Sequence, residues 1–291
     1  PDLPTAAGGS CRGGQVRTGP VNGVTTHGWS PRSRSRTPSQ SDSEEDAVWY
    51  QSEQHGVGVA FTDVVEGNLA AHTGDDVARV AQRRRALETA LGCEPVRYVR
   101  QVHGTVVADV TGTAAPVRAP EADASVSADG TPLGILTADC LPVVLVGTRF
   151  RAEPGDVPVL AVAHAGRRGL LDGVLQATVE AARAHGAEQL TAWIGPAVCG
   201  RCYEVPGEMA RSAERILPGI TTTTVRGTPG LDLPGAARSL LEARGVRVDP
   251  ACADRRAWCT LEHDQLYSYR RDATPGRLAG LVLPRTRKEP A

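Results

Sequence analysis

The chain is poor in aromatics. They make up 4% of its 291 residues, with two Phe, and Met occurs once. Any core it builds must therefore rest on Val, Leu, Ala and Ile. It has no uninterrupted apolar run of the ~18 residues that a membrane-spanning helix requires. The opening stretch, PDLPTAAGGSCRGGQVRTGP, has no apolar centre and does not read as a secretion signal. Charge of neither sign dominates: 32 basic against 33 acidic residues leave a net charge of -1. Nothing in that balance draws the chain to nucleic acid or to a lipid surface. The seven cysteines form an odd set without the density of a disulfide-stapled scaffold. They read as reduced thiols of a cytoplasmic protein, some of them available to a metal.

Residues 1–54 are rich in Gly, Ser, Pro and Thr and end near a basic run followed by an acidic one, RSRSRTPSQSDSEED. Such a composition buries too little apolar surface to offset its ordering entropy, so this segment reads as a disordered or misassigned tail. From Val57 the text alternates between two periods. VGVAF, VRYVRQV, LGILTA, PVVLV, VPVLAVA, TAWI and LAGLVL read as strands. GDDVARVAQRRRALETALG reads as a helix, with Val77, Val80, Leu87 and Leu91 on one face, Asp75 and Asp76 in its first turn and Gly92 as its stop. LLDGVLQATVEAARAHG and LPGAARSLLEARG read as two more. The interleaving predicts a single α/β (α+β) sandwich domain over residues 55–285, with a short C-terminal tail at 286–291.

Four stretches place reactive side chains beside strand-like runs: RQVHG, TADC, AVAHAGRRG and YSYRRD. Strand ends are where α/β sheets present residues to ligands. His103, Cys140 and His164 form a three-ligand N,S,N set of the kind that leaves a fourth zinc position open. The same atoms also read as a Cys140–His164 nucleophile–base pair. Asp139 could orient a histidine as its hydrogen-bond acceptor or pair with a nearby Arg. CGRC, with Cys199 and Cys202, reads as incidental thiols, because Cys252 and Cys259 have the wrong spacing to complete a ribbon.

Together the motifs GNLAAHTGDD, QVHG, ADA, LTADCLPVVL, AVAHAGRRG, WIGPA, CYEV and YSYRRD resemble, in order from Val57 to Leu283, the YfiH/DUF152 family. That family is also called the multicopper polyphenol oxidase or laccase domain family. The resemblance implies a compact α/β sandwich distantly similar to a bacterial toxin's Cys-His deamidase domain. It also implies a zinc site, or a copper site, on His103, Cys140 and His164, which would be the catalytic centre. The implied activity is zinc-dependent phosphorolysis of purine nucleosides (adenosine, inosine, guanosine, methylthioadenosine) together with adenosine deamination. Amide hydrolysis in peptidoglycan precursor editing and copper-dependent polyphenol oxidation are the alternatives. On the phosphorylase reading the partners are small-molecule nucleosides and phosphate, with no protein partner expected. Arg168 and Arg271 would hold phosphate, and Asn68 would orient phosphate or ribose. The chain departs from the family pattern at Arg167, where relatives carry Trp, and in a shortened loop before Asn68.

Overall fold

Strand LAGLVLP shows how the sequence builds a two-faced sheet. Leu278, Gly280 and Val282 point one way and Ala279, Leu281 and Leu283 the other, and all six are buried. The computed structural model describes residues 48–114, 118–150, 156–253, 258–273 and 276–284, all within one compact unit. Its elements in chain order are β1 (Tyr50–Gln54), β2 (Val57–Phe61), α1 (Val77–Leu91), β3 (Arg97–Tyr98), β4 (Val107–Asp109), β5 (Ala124–Ser127) and β6 (Leu133–Thr137). There follow β7 (Leu141–Thr148), β8 (Val159–Ala165), α2 (Arg167–Asp172), α3 (Val174–Ala184), β9 (Gln189–Ile194) and α4 (Gly207–Ile216). The last are β10 (Thr221–Thr223), β11 (Pro229–Leu231), α5 (Leu233–Glu242), β12 (Val246–Val248), α6 (Tyr269–Asp272) and β13 (Leu278–Pro284).

Two mixed sheets carry the fold, in the orders β1-β2-β13-β6-β3 and β12-β9-β7-β8-β5-β4. Pairing is antiparallel except for β3 on β6, β12 on β9 and β4 on β5. The sheets stack face to face, with β6 and β13 against β7 and β8. Phe61, Leu133, Ile135 and Val282 enter the shared core from one side and Leu141, Val143 and Leu145 from the other. Gly195 and Gly280 permit the close approach: a methyl on Gly195 would lie 2.3 Å from the Phe61 ring, and one on Gly280 2.9 Å from Pro142. Leu87 of α1 covers the outer face of the five-stranded sheet with Ala60, Leu136, Ala279 and Leu281. Helices α3 and α5 cover the outer face of the other. Burying each such Leu or Ile is worth about 1.5–3 kcal/mol. Among the described residues no helix is long and apolar enough to cross a membrane.

The mixed α/β sandwich is therefore as expected, with local corrections. The domain begins before residue 55, because Tyr50–Gln54 pair with β2. The polar text YQSEQ hides this edge strand, whose side chains are only alternately half-buried. The rest of the expected tail, residues 1–47, lies outside the described residues, as does 286–291. VRYVRQV contributes only Arg97–Tyr98 as strand. α1 has its expected cap, with Asp76 accepting from the Ala78 and Arg79 amides, but Val77 is 67% exposed. The helix expected over 170–186 breaks into α2 and α3 at Gly173, whose φ of +102° ends one helix and starts the next. α4 was not foreseen.

Candidate metal centre

The site is organised from a buried carboxylate. Asp123 precedes β5 and is fully buried. Its side chain accepts the backbone N–H groups of Val102 (3.1 Å), His103 (2.8 Å) and Gly104 (2.6 Å), and Nδ1–H of His164 at 2.8 Å. Burial alone would raise its pKa. The His164 bond and the amides of Gly104 and Val102 outweigh that and hold it below the usual carboxylate range. With Nδ1 committed to a carboxylate, His164 turns Nε2 toward the site.

The three amides also fix His103 with φ +61°, an uncommon conformation for a side-chain-bearing residue. Gln101 ties the same loop to β6, its side chain donating to the Leu136 carbonyl at 2.7 Å and accepting the Leu136 amide at 3.0 Å. Cys140 lies between β6 and β7. Before it, Asp139 is held with φ +81°, its carbonyl accepting the Val198 amide (3.0 Å). The Asp139 carboxylate accepts the Thr260 hydroxyl and the Arg270 amide, each at 2.7 Å. His164 is the penultimate residue of β8.

These supports bring the trio together. Cys140 Sγ is 3.9 Å from His103 Nε2, and the two imidazole rings stand 4.7 Å apart, edge to face. One ligand atom from each residue lies within 4.8 Å of the other two. His164 is buried, Cys140 half-buried and His103 exposed, so the cluster opens on the His103 side. Burial pushes the Cys140 thiol up, but hydrogen bonds and positive charge from His103 and His164 bring it down to about 6. Burial pulls His164 down, and its bonds to Asp123 and Cys140 raise it to about 9.

The residues fit a divalent metal. A methyl built on Gly166 would meet His103 Cδ2 at 3.0 Å, Cys140 Sγ at 3.1 Å and His164 Nε2 at 3.5 Å. The backbone thus leaves space where the three donors converge, and two imidazoles with one thiolate are a set zinc accepts.

Cationic and aromatic groups surround this opening. Burial raises the Tyr203 hydroxyl pKa, which positive Arg167 and Arg270 lower and negative Cys140 raises. The Arg270 guanidinium lies 4.8 Å over the Tyr203 ring and donates to the Glu204 carbonyl. Half-buried Arg277 has its pKa lowered by burial, against the opposing charges of Cys140, Asp139 and Tyr269. Arg167 therefore shares the Tyr203 side of the site.

Other expectations are corrected. Asp139 orients no histidine, because its carboxylate serves Thr260 and Arg270; Asp123, in the ADA motif, takes that role with His164. Arg271 is not directed at a ligand. It donates to the carbonyls of Thr260 (3.0 Å), His263 (2.9 Å) and Leu266 (2.7 Å) and pairs with Asp272. Asn68 is buried and fully engaged, its Nδ2 donating to Ala70, Thr73 and Asp75 and its Oδ1 accepting the amides of Ala70 and Arg277. It organises its loop. Arg168 is exposed on α2, pairs with Asp172 at 3.5 Å, and lines an open groove of about 510 Å³ with Arg167, Glu208 and Met209.

Residues 48–285 match the family model described as multi-copper polyphenol oxidoreductase laccase. The chain is 45% identical over 233 residues to a purine nucleoside phosphorylase of Streptomyces griseus, covering 77% of this chain and 89% of that protein. It is 37% identical over 230 residues to the Escherichia coli purine nucleoside phosphorylase YfiH, with 77% and 89% covered. Among solved structures, a Neisseria meningitidis protein of the DUF152 family superposes with a TM-score of 0.65 at 30% identity, covering 81% of this chain and 99% of that one. YlmD from Geobacillus stearothermophilus gives 0.64 at 28% identity, with 80% and 93% covered.

Proposed function

Since the chain belongs to the multi-copper polyphenol oxidoreductase laccase family, also known as DUF152/YfiH, and its relatives are named purine nucleoside phosphorylases, we propose that it is a zinc-dependent purine nucleoside phosphorylase that also deaminates adenosine. Its substrates would be adenosine, inosine, guanosine or methylthioadenosine, with phosphate. The observation that carries this reading is the His103–Cys140–His164 cluster, oriented by Asp123 and open on one side.

Phosphorolysis needs a held phosphate dianion and a stabilised leaving purine as the ribose carbon passes through an oxocarbenium-like state. Arg277 and Arg167 are assigned to phosphate: the charge of Arg277 couples to Cys140 and that of Arg167 to Tyr203, whereas Arg270, which also acts on Tyr203, has its guanidinium taken up by the Tyr203 ring and the Glu204 carbonyl. Arg168 is kept for substrate at the groove margin. Tyr203 offers a face for a base and a hydroxyl beside Arg167. Asp123 keeps the proton of His164 on Nδ1, so that Nε2 presents a lone pair. Zinc held by His103, Cys140 and His164 would supply Lewis acidity, for charge developing on the purine and for deamination alike.

The test is chromatography of adenosine and inosine incubated with zinc-quantified protein, with and without phosphate. Base released only with phosphate supports the reading. Neither base nor inosine from fully zinc-loaded protein overturns it.

One observation favours a second reading. The Cys140 thiol, within the same 4.8 Å cluster as the His164 imidazole and lowered by its hydrogen bonds to His103 and His164, is also arranged as a nucleophile beside its base, suited to an amide hydrolase. That enzyme would survive chelation and be abolished by Cys140→Ser. Polyphenol oxidation fits less well: two His and one Cys can hold one copper ion, but a multicopper oxidase needs further histidines, and among the described residues only His103 and His164 join such a cluster.

A further inference from the structure

Cys199 and Cys202 bracket a tight turn in which the amides of Cys202 and Tyr203 both donate to the Cys199 carbonyl at 2.9 Å. Cys259 and Glu262 bracket another with the same two-residue gap, the amides of Glu262 and His263 both reaching the Cys259 carbonyl at 3.2 Å. A parallel bridge between Ala197 and Cys259 lays the turns side by side, with Ala197 N donating to Trp258 O and Thr260 N to Ala197 O, each at 3.1 Å. As a result three sulfurs and one carboxylate oxygen lie within 4.8 Å of one another. The Cys199 amide donates to Cys259 Sγ at 3.4 Å, and Cys202 Sγ donates to Glu262 Oε1 at 3.2 Å. Cys199 and Cys259 are buried, Cys202 is half-buried and Glu262 exposed.

We propose that Cys199, Cys202, Cys259 and Glu262 hold a structural zinc ion, separate from the His103–Cys140–His164 centre. The argument is one of donor type, spacing and closure. Paired ligands two residues apart on facing turns are how structural zinc is gripped, and a backbone amide aimed at a sulfur stabilises it as thiolate. Four protein donors leave no open position, so the ion serves architecture and not catalysis. Cys252 lies elsewhere, its sulfur accepting the Ile194 amide at 3.3 Å, whereas Cys259, whose spacing in the sequence argued against pairing with CGRC, stands beside it.

The ion would act on the first site through Asp139. Val198, next to Cys199, bonds the Asp139 carbonyl, and Thr260, next to Cys259, bonds its carboxylate. Tyr203 directly follows Cys202. Crosslinking the two turns would fix the residue before Cys140 and one wall of the opening.

The experiment is zinc quantification by mass spectrometry on protein purified without chelator. Wild type should carry two equivalents, the His103→Ala/Cys140→Ser variant one, the Cys199→Ser/Cys202→Ser variant one, and the quadruple variant none. One equivalent in wild type with none in His103→Ala/Cys140→Ser overturns the proposal, as does an unchanged count in Cys199→Ser/Cys202→Ser. Because the cysteine variants can fail to fold, cobalt is also loaded into His103→Ala/Cys140→Ser, which leaves the second cluster intact. Intense thiolate-to-cobalt absorption and three thiols shielded until chelation are expected. Absent absorption, or a disulfide among Cys199, Cys202 and Cys259, overturns it.

Discussion

Asp123 and His164 are joined twice: the imidazole Nδ1 reaches the carboxylate at 2.8 Å, and the His164 amide reaches the Asp123 carbonyl at 2.7 Å. Side chain and backbone are thus locked together, with Asp123 fully buried and His164 nearly so. The carboxylate holds Nδ1 of His164 and so favours the proton on that nitrogen.

Asp123→Asn keeps an acceptor for the loop amides but removes the charge that fixes His164. It is expected to lower metal affinity and activity by about 10–100-fold. Metal titration and steady-state assays, with circular dichroism to confirm folding, check this. Asp123→Ala leaves several buried donors without an acceptor and should cost about 3 kcal/mol or more in a urea titration.

Gly166→Ala tests the space where the ligands converge. Its backbone, φ -67° and ψ 164°, suits alanine, so strain is not the obstacle. The added methyl falls within 3.5 Å of all three ligand residues. Metal affinity should drop by about tenfold or more, ~1.4 kcal/mol, while thermal stability of the metal-free protein barely moves.

Two arginines should separate by role. Arg271→Ala abandons three backbone carbonyls and is expected to destabilise by about 2–4 kcal/mol with little change in the KM for phosphate. Arg277→Gln should raise that KM by about tenfold or more at a smaller cost in stability, since it gives up a bond from Nη1 to the Gly276 carbonyl (3.1 Å) and its place over Tyr269 while the backbone amide still bonds Asn68. Denaturant midpoints and phosphate saturation curves measure the two effects.

Glu66 gives a pH signature of its own. Burial, helped by the charge of Asp63 and opposed by the Asp63 amide, raises its pKa to about 7. Its native form favours the proton, so its contribution is complete below the unfolded value near 4.5 and is lost as pH rises through 7. Glu66→Gln should therefore gain about 1 kcal/mol over wild type at pH 8 and nothing at pH 4, because partial exposure screens the effect. Unfolding midpoints at the two pH values decide it.

Much of this architecture was legible because apolar alternation marks strands and because His103, Cys140 and His164 each stand where such a run gives way. Asp123 was not. It lies in EADAS, with no long apolar run beside it, and its partners are 20 and 41 residues away in the chain. Arg271 misled for a related reason: YSYRRD looks like free charge, and the carbonyls that claim its guanidinium belong to a loop whose path only the fold determines. The edge strand β1 and the amphipathic α4 escaped because half-buried elements need few apolar residues. The spacing of CGRC against CTLE was on the page, but a carboxylate in place of a fourth cysteine obscured it.

The three ligands of the first site do not belong to one sheet. His103 is tied to both, to the five-stranded sheet through Gln101 and to the six-stranded one through Asp123; Cys140 sits on the crossover from β6 to β7, and His164 is built into the six-stranded sheet. The candidate metal pocket therefore straddles the seam between the two halves of the sandwich. A slip of one sheet against the other would pull on the Cys140 crossover and on the His103 loop, both of which are anchored across that seam. A methyl at Gly280, pressing on Pro142 in the middle of the core, should therefore register as weakened metal binding at the mouth of the protein. Conversely, an ion held by all three donors would tie the seam together, so that occupancy and the alignment of the two sheets would be linked.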